Sequence, residues 1–208
     1  MTSRLARKRW LSRLVVFVVV TVCVALAGCD PFAATTSSAP TPQPTRHVAY
    51  HDLEQRPLHL PALAVGAPCV TTKGSQVSPD YGIALGNGPV YPVGLGVEGV
   101  LEYAPSQNFE SSDWGGQKVL WVVSPAYHGL VLIRGGRLDG AGLDGAGEVR
   151  FQRGDIPPAV LEFDALGLDP DGWNGNPSYT RIRAPGCYAY QVGGDGFSEV
   201  IVFQAVPV

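Results

Sequence analysis

The chain is 208 residues long, with 45% hydrophobic and 16% charged residues and a formal net charge of −3. This is enough apolar material for a folded domain of ordinary size, and too little positive charge for a nucleic-acid surface. Five of the fifteen Lys and Arg lie in the first thirteen residues, so from Cys29 onward eighteen acidic residues face ten basic ones. That balance, about −8, also excludes a domain that lies flat on an anionic membrane.

Arg4, Arg7, Lys8, Arg9 and Arg13 precede residues 14–27, fourteen residues without a charge. A bilayer-spanning helix needs about 20 such residues. A basic flank followed by this shorter apolar core reads as an export signal. The run ends in Leu26-Ala27-Gly28-Cys29, which resembles the lipobox of bacterial lipoproteins: a large apolar residue, two small ones, then cysteine. The resemblance implies cleavage before Cys29, a diacylglyceryl group on its sulfur, and a protein lipid-anchored on the extracytoplasmic side of the cell membrane. Two or more acyl chains hold stably where one does not. Asp30 in the next position implies, in bacteria of the enteric diderm type, retention at the inner membrane. An uncleaved anchor or a plain secretory signal is the alternative.

The resemblance sorts the four cysteines. Cys23 leaves with the signal and Cys29 carries lipid, so Cys69 and Cys187 remain in an oxidising compartment. That setting favours a disulfide over two buried thiols.

Residues 30–46 read DPFAATTSSAPTPQPTR. Four prolines among threonines and serines build no core, and the segment is expected to be an extended tether of about 50 Å at full polyproline length. The expected organisation is therefore residues 1–28 as signal peptide, 29–46 as lipidated N-terminus and tether, and 47–208 as one extracytoplasmic domain.

That domain shows no sustained helical period. Short β-rich runs divided by Gly and Pro occur instead, at residues 99–104, 118–123, 130–134, 148–151, 160–164 and 179–183. Residues 118–123, KVLWVV, are apolar on both faces, as in a central strand. In residues 148–151 and 160–164, Val149, Phe151, Leu161 and Phe163 point inward. In residues 179–183, Thr180 and Ile182 oppose Tyr179, Arg181 and Arg183. The tail from Cys187 forms two strands around Gly193-Gly194-Asp195-Gly196, a hairpin signal. About seven strands predict an all-β fold, an antiparallel β-sandwich, immunoglobulin-like in the broad sense. Trp121 lies between the two cysteines as in that family, but Pro185 stands two residues before Cys187, where the family has tyrosine. As a whole the chain resembles bacterial lipobox lipoproteins with a single sandwich domain, and that resemblance brings no activity with it.

Several constellations have chemical potential. His47, His51 and His59 lie within thirteen residues, close to Asp52 and Glu54. They are a metal alternative to a solvated junction, although no established zinc spacing is met. Asp169, Asp171, Asn174 and Asn176, and separately Asp139, Asp144 and Glu148, offer the hard oxygens that calcium uses, without the EF-hand pattern. The same residues are ordinary turn formers. Ser124, His128 and Asp113 stand near one another in sequence, which makes a small hydrolase the alternative function. No G-x-S-x-G elbow, Walker loop, dinucleotide fingerprint or H-E-x-x-H accompanies them, and no cofactor is expected. Trp114, Tyr127, Trp173 and Tyr179 fall in glycine-rich loops or at strand edges. Exposed, they would stack on sugar faces or anchor a protein partner, with Arg181 and Arg183 adding contacts to acidic groups. Otherwise they cover the open ends of the sandwich. The leading expectation is a binding or envelope-interaction module for a glycan or protein ligand, with no nucleic-acid partner.

Overall fold

A computed structural model describes residues 49–64, 66–109, 113–140, 149–165 and 172–208. Cys29, the tether, His47, Asp144, Glu148, Asp169 and Asp171 lie outside the described residues. The first described element is a short helix, α1 (Tyr50–Glu54). The strands follow: β1 (Gly74–Gln76), β2 (Ile83–Leu85), β3 (Val90–Val93), β4 (Val100–Tyr103), β5 (Gly115–Val123) and β6 (Leu130–Arg137). The remaining five are β7 (Arg150–Phe151), β8 (Leu161–Asp164), β9 (Asn174–Ile182), β10 (Gly186–Gly194) and β11 (Phe197–Pro207).

They form two sheets, one six-stranded in the order β1-β2-β3-β5-β9-β7, the other five-stranded in the order β4-β11-β10-β6-β8. The expected sandwich is present, with one departure: β4 pairs with β11 in parallel, and the other pairs are antiparallel. The tail folds as the hairpin its glycines signal, β10 running into β11 through Asp195 and Gly196, the latter at φ +77°.

The inner faces are the ones the alternation marks. Val119, Trp121 and Val123 of β5 meet Val131 and Ile133 of β6, Tyr188 and Tyr190 of β10, and Ile201 and Phe203 of β11 in one buried cluster. The rings of Trp121 and Tyr190 meet in a T-shaped pair at 5.1 Å, and Tyr190 stacks on Phe203 at 4.4 Å. Each such ring contributes on the order of 2–3 kcal/mol by leaving water.

The outer faces of the two sheets differ. Residues 49–64 and 66–73 form a strap over the five-stranded sheet. Leu53 is buried there, and Arg134 of β6 donates to the carbonyls of Glu54 and Arg56. Gln191 of β10 accepts from the His59 amide and donates to Pro57. Further along, Leu60, Leu63 and Cys69 pack against the cluster of Leu138, Cys187 and Ala189. Cys69 and Cys187 form the expected disulfide, with Cα atoms 5.5 Å apart. On the outer face of the six-stranded sheet, by contrast, Lys118, Gly175 and Pro177 are exposed.

Candidate functional site

The register of the six-stranded sheet decides which side chains share its outer face. Tyr91, Val122 and Gly175 stand in one row across β3, β5 and β9. Val93, Leu120 and Pro177 form the next row, Lys118 and Tyr179 the third, and Gly116, Arg181 and Arg150 the fourth. The face therefore runs from an apolar, aromatic end to a basic end.

At the aromatic end, Tyr91 and Trp173 are half-buried, with ring centroids 5.9 Å apart and planes tilted by 48°. The Tyr81 hydroxyl donates to the Trp173 carbonyl at 3.3 Å, which fixes the start of β9. Gly175 leaves a floor without a side chain: a Cβ there would lie 3.1 Å from Leu120 and 3.4 Å from Tyr81. Halfway along, Tyr179 meets Phe109 edge-on at 5.7 Å.

At the basic end the sequence reading needs correction. Arg181 does point to the outer face, but it is 0% exposed. A 3-10 turn (Ser106–Asn108) leads Phe109 over it, the guanidinium lying 3.9 Å from the ring centre. Arg181 donates to the carbonyls of Trp114 (2.6 Å), Gly115 (3.1 Å), Gln152 (3.3 Å) and Gly154 (3.1 Å). Burial, then neighbouring Arg153, pull its pKa down, and Asp155 opposes them. Gln152 holds φ at +67°, a strained position for a residue with a side chain, and Arg181 secures that loop. Gly116 is needed beneath, since a Cβ there would lie 2.6 Å from the Arg181 side chain. Arg181 is therefore a structural post and not an exposed contact.

Trp114 is likewise buried, at 6% exposure. It is covered by cations, Arg183 lying 4.2 Å and Arg150 5.6 Å from its ring. Arg183 and Arg153 are exposed and Arg150 is half-buried. A hollow of about 40 Å³ opens beside them between Phe109, Arg153, Gly154 and Asp155.

Tyr127 leaves this group altogether. At 9% exposure it plugs the β10–β11 hairpin. Its hydroxyl donates to Leu130 and accepts from the Asp195 amide, and its ring is edge-on to Phe197. Gly194 makes room for both rings, as a Cβ there would lie 2.2 Å from Phe197 and 2.4 Å from the Tyr127 hydroxyl.

Among the described residues, the members of the alternative constellations do not come together. Asp113 precedes β5 and Ser124 follows it, so nine residues of extended strand, about 30 Å, separate them. Ser124 Oγ accepts the Ala126 amide, and His128 is exposed in the turn beyond. His51 contacts Gln55 at 3.0 Å and Asp52 at 3.8 Å, while His59 lies beyond Pro57 and its backbone amide bonds Gln191. No group of three His, Cys, Asp or Glu side chains among the described residues is placed to hold a metal. Asp139 is engaged by Arg137 and the Cys187 amide, and Asn174 donates to Gly172.

Sequence reasoning missed Tyr81, Tyr91, Phe109, Arg150 and Arg153. Tyr91 sits in a four-residue strand that contains Pro92, too short to show alternation. Arg150 and Arg183 flank one indole from thirty-three positions apart, which no local pattern reveals.

No family model matches the chain, and no curated protein matches it. Among solved structures, one described as "X-ray Crystal Structure of a Putative Lipoprotein from Bacillus anthracis" aligns with a TM-score of 0.44 and 9% identity, covering 68% of this chain and 88% of that one. A likeness of this degree carries no argument about site or function.

Proposed function

We propose that this protein is a lipid-anchored extracytoplasmic binding module, held to the membrane through Cys29 and presenting the outer face of its six-stranded sheet to a ligand of the cell envelope. The anchor reading is supported by the basic flank, the fourteen uncharged residues and the Leu26-Ala27-Gly28-Cys29 motif in register. No helix among the described residues is long and apolar enough to cross a membrane.

The binding reading rests on the Tyr91–Trp173 pair. Both rings are half-exposed on a face that carries exposed Lys118, Gly175 and Pro177, while the opposite sheet's outer face is roofed by the strap. Aromatic rings in that setting offer flat apolar area with a polar edge, which suits sugar rings and protein anchors.

Two experiments test the reading. Cys29→Ser releases the protein from membranes or leaves it unprocessed. If the variant stays anchored and mature, the anchor is elsewhere. Envelope glycan fractions are retained by the immobilised protein, and the double variant Tyr91→Ala/Trp173→Ala loses that retention. Unchanged retention overturns the assignment of the face.

A further inference from the structure

Positive charge is scarce in the folded part and unevenly placed. Beyond residue 28 there are ten Lys and Arg against eighteen Asp and Glu. Four of those ten, Arg150, Arg153, Arg181 and Arg183, gather where β7 meets the end of β9. Arg150 and Arg181 are register partners. Arg183 follows two residues later on the same side of the chain, and Arg153 is near enough to Arg181 to act on it electrostatically. Nearby Asp113 and Asp155 are exposed. Among the described residues, neither forms an ion pair with Arg150, Arg153 or Arg183.

The roles within the cluster divide. Arg181 is buried, and its donors bond main-chain carbonyls. The guanidinium carbons of Arg150 and Arg183 lie over the Trp114 ring, 5.6 and 4.2 Å from its centre. Stacking orients a guanidinium while leaving its N–H edges to bind a planar anion in pairs. Like charges held this close repel, and an anion relieves that repulsion.

We propose that this cluster is an anion subsite of the same face, and that the ligand is an anionic glycan: a polymer of sugar rings carrying carboxylate or phosphate on some of its units. The inference rests on the binding reading given above and specifies its ligand. Gly175 and Arg181 are six positions apart on β9, about 20 Å of strand, so one extended chain reaches from the Tyr91–Trp173 pair to the arginines. The spacing of charge selects the ligand class. Between the two ends, Lys118 is the cation that the paired rows of β3, β5 and β9 provide. A nucleic acid, charged at every nucleotide, requires cations along its whole path. A glycan with charge on some rings matches a face that is aromatic at one end and cationic at the other.

The test uses the full-length protein in detergent and three probes: a hyaluronan oligosaccharide, with carboxylate on alternate rings, a neutral chitin oligosaccharide of the same length, and inorganic polyphosphate. Calorimetry is expected to show hyaluronan binding about tenfold more tightly than the neutral oligosaccharide, with affinity falling as salt rises. Arg150→Gln/Arg183→Gln, both at exposed or half-exposed positions, should bring hyaluronan down to the neutral value and leave the neutral oligosaccharide unchanged. Thermal melts confirm that the variant is folded. Equal wild-type affinity for charged and neutral oligosaccharides, no binding of hyaluronan, or no effect of the arginine variant overturns the subsite. Polyphosphate binding as tight as hyaluronan overturns the glycan assignment. If Tyr91→Ala/Trp173→Ala leaves both oligosaccharides unaffected while the arginine variant weakens hyaluronan, the subsite stands and the aromatic reading fails.

Discussion

The hydroxyls of Tyr190 and Thr180 meet at 2.6 Å across the gap between the two sheets. Both residues are 0% exposed, one on β10 and the other on β9. Burial drives the Tyr190 phenol far above the ordinary tyrosine range, and the bond to Thr180 offsets this in part. The contact is a polar rivet in an otherwise apolar interior, between Trp121, Phe151 and Phe203.

Tyr190→Phe leaves the Thr180 hydroxyl buried without its partner, at a cost of about 1–3 kcal/mol. Thr180→Val in the same chain removes the orphan and should restore much of that loss, because deleting both partners is cheaper than deleting one. Urea unfolding of the two single variants and the double variant measures the coupling. Strictly additive losses would show that the two hydroxyls do not act as a pair.

Arg181 makes a second buried polar centre. Arg181→Met strands the carbonyls of Trp114, Gly115, Gln152 and Gly154, and should cost on the order of 3 kcal/mol. Arg181→Lys should recover little, since one ammonium lacks the planar fork that reaches four acceptors. Denaturant titration decides this. A lysine variant as stable as wild type would mean that charge alone holds the loop.

Arg181 also shows how far sequence carries. Alternation along residues 179–183 assigns it to the outer face correctly. It cannot report that the turn bearing Phe109, some seventy positions earlier, closes over that face. The longer strands β5, β6, β10 and β11 were legible because each holds a continuous apolar run or flanks a glycine hairpin signal. The strands β1, β2 and β3 span three or four residues each and carry no such signal. Nor does alternation encode direction, so the parallel pairing of β4 with β11 was not readable. The sequence groups Tyr127 with the exposed aromatics because it falls in a loop at a strand edge, outside the alternating positions. Its hydroxyl instead ties two main-chain groups, a tertiary fact.

Two carboxylates should tilt the pH dependence of stability in opposite directions. Burial works against the charge of Asp139, but hydrogen bonds from Arg137 and the Cys187 amide outweigh it and lower its pKa. Its contribution is complete above the unfolded carboxylate range and lost as pH falls through the lower, folded value. Asp139→Asn should cost about 1.5–3 kcal/mol at neutral pH and soften the acid limb of the profile. Glu162 on β8 behaves oppositely. Burial and the facing Glu54 of α1 raise its pKa. Tyr50, beside Glu162 and Asp164, is pushed up to about 12 by burial and by both carboxylates. The Glu162 contribution is present below the unfolded range and lost as pH rises through the folded value. Glu162→Gln should therefore raise the melting temperature slightly at neutral pH and leave it unchanged in acid. Melting curves from pH 3 to 8 for both variants check the signs. A destabilised Glu162→Gln at neutral pH would refute the second.

The disulfide and the strap make separable contributions. Cys69 and Cys187 are 118 positions apart, and closing a loop of about 100 residues is worth about 4.7 kcal/mol in the chain-entropy account. Reduction should thus remove about 3–5 kcal/mol of stability. It should not release the whole strap. Leu53 is buried, Arg56 donates to Gly194 at 2.7 Å, and Arg134 and Gln191 bind the strap's main chain independently of the bridge. Nearer the bridge, Thr72 and Val202 exchange two hydrogen bonds at the edge of the sheet, and these depend on Cys69 being held close. Hydrogen exchange after reduction should therefore show residues 66–73 opening while residues 53–59 stay protected. Uniform loss of protection from 50 to 73 would mean that the bridge, and not the polar contacts around Arg134 and Gln191, seats the strap.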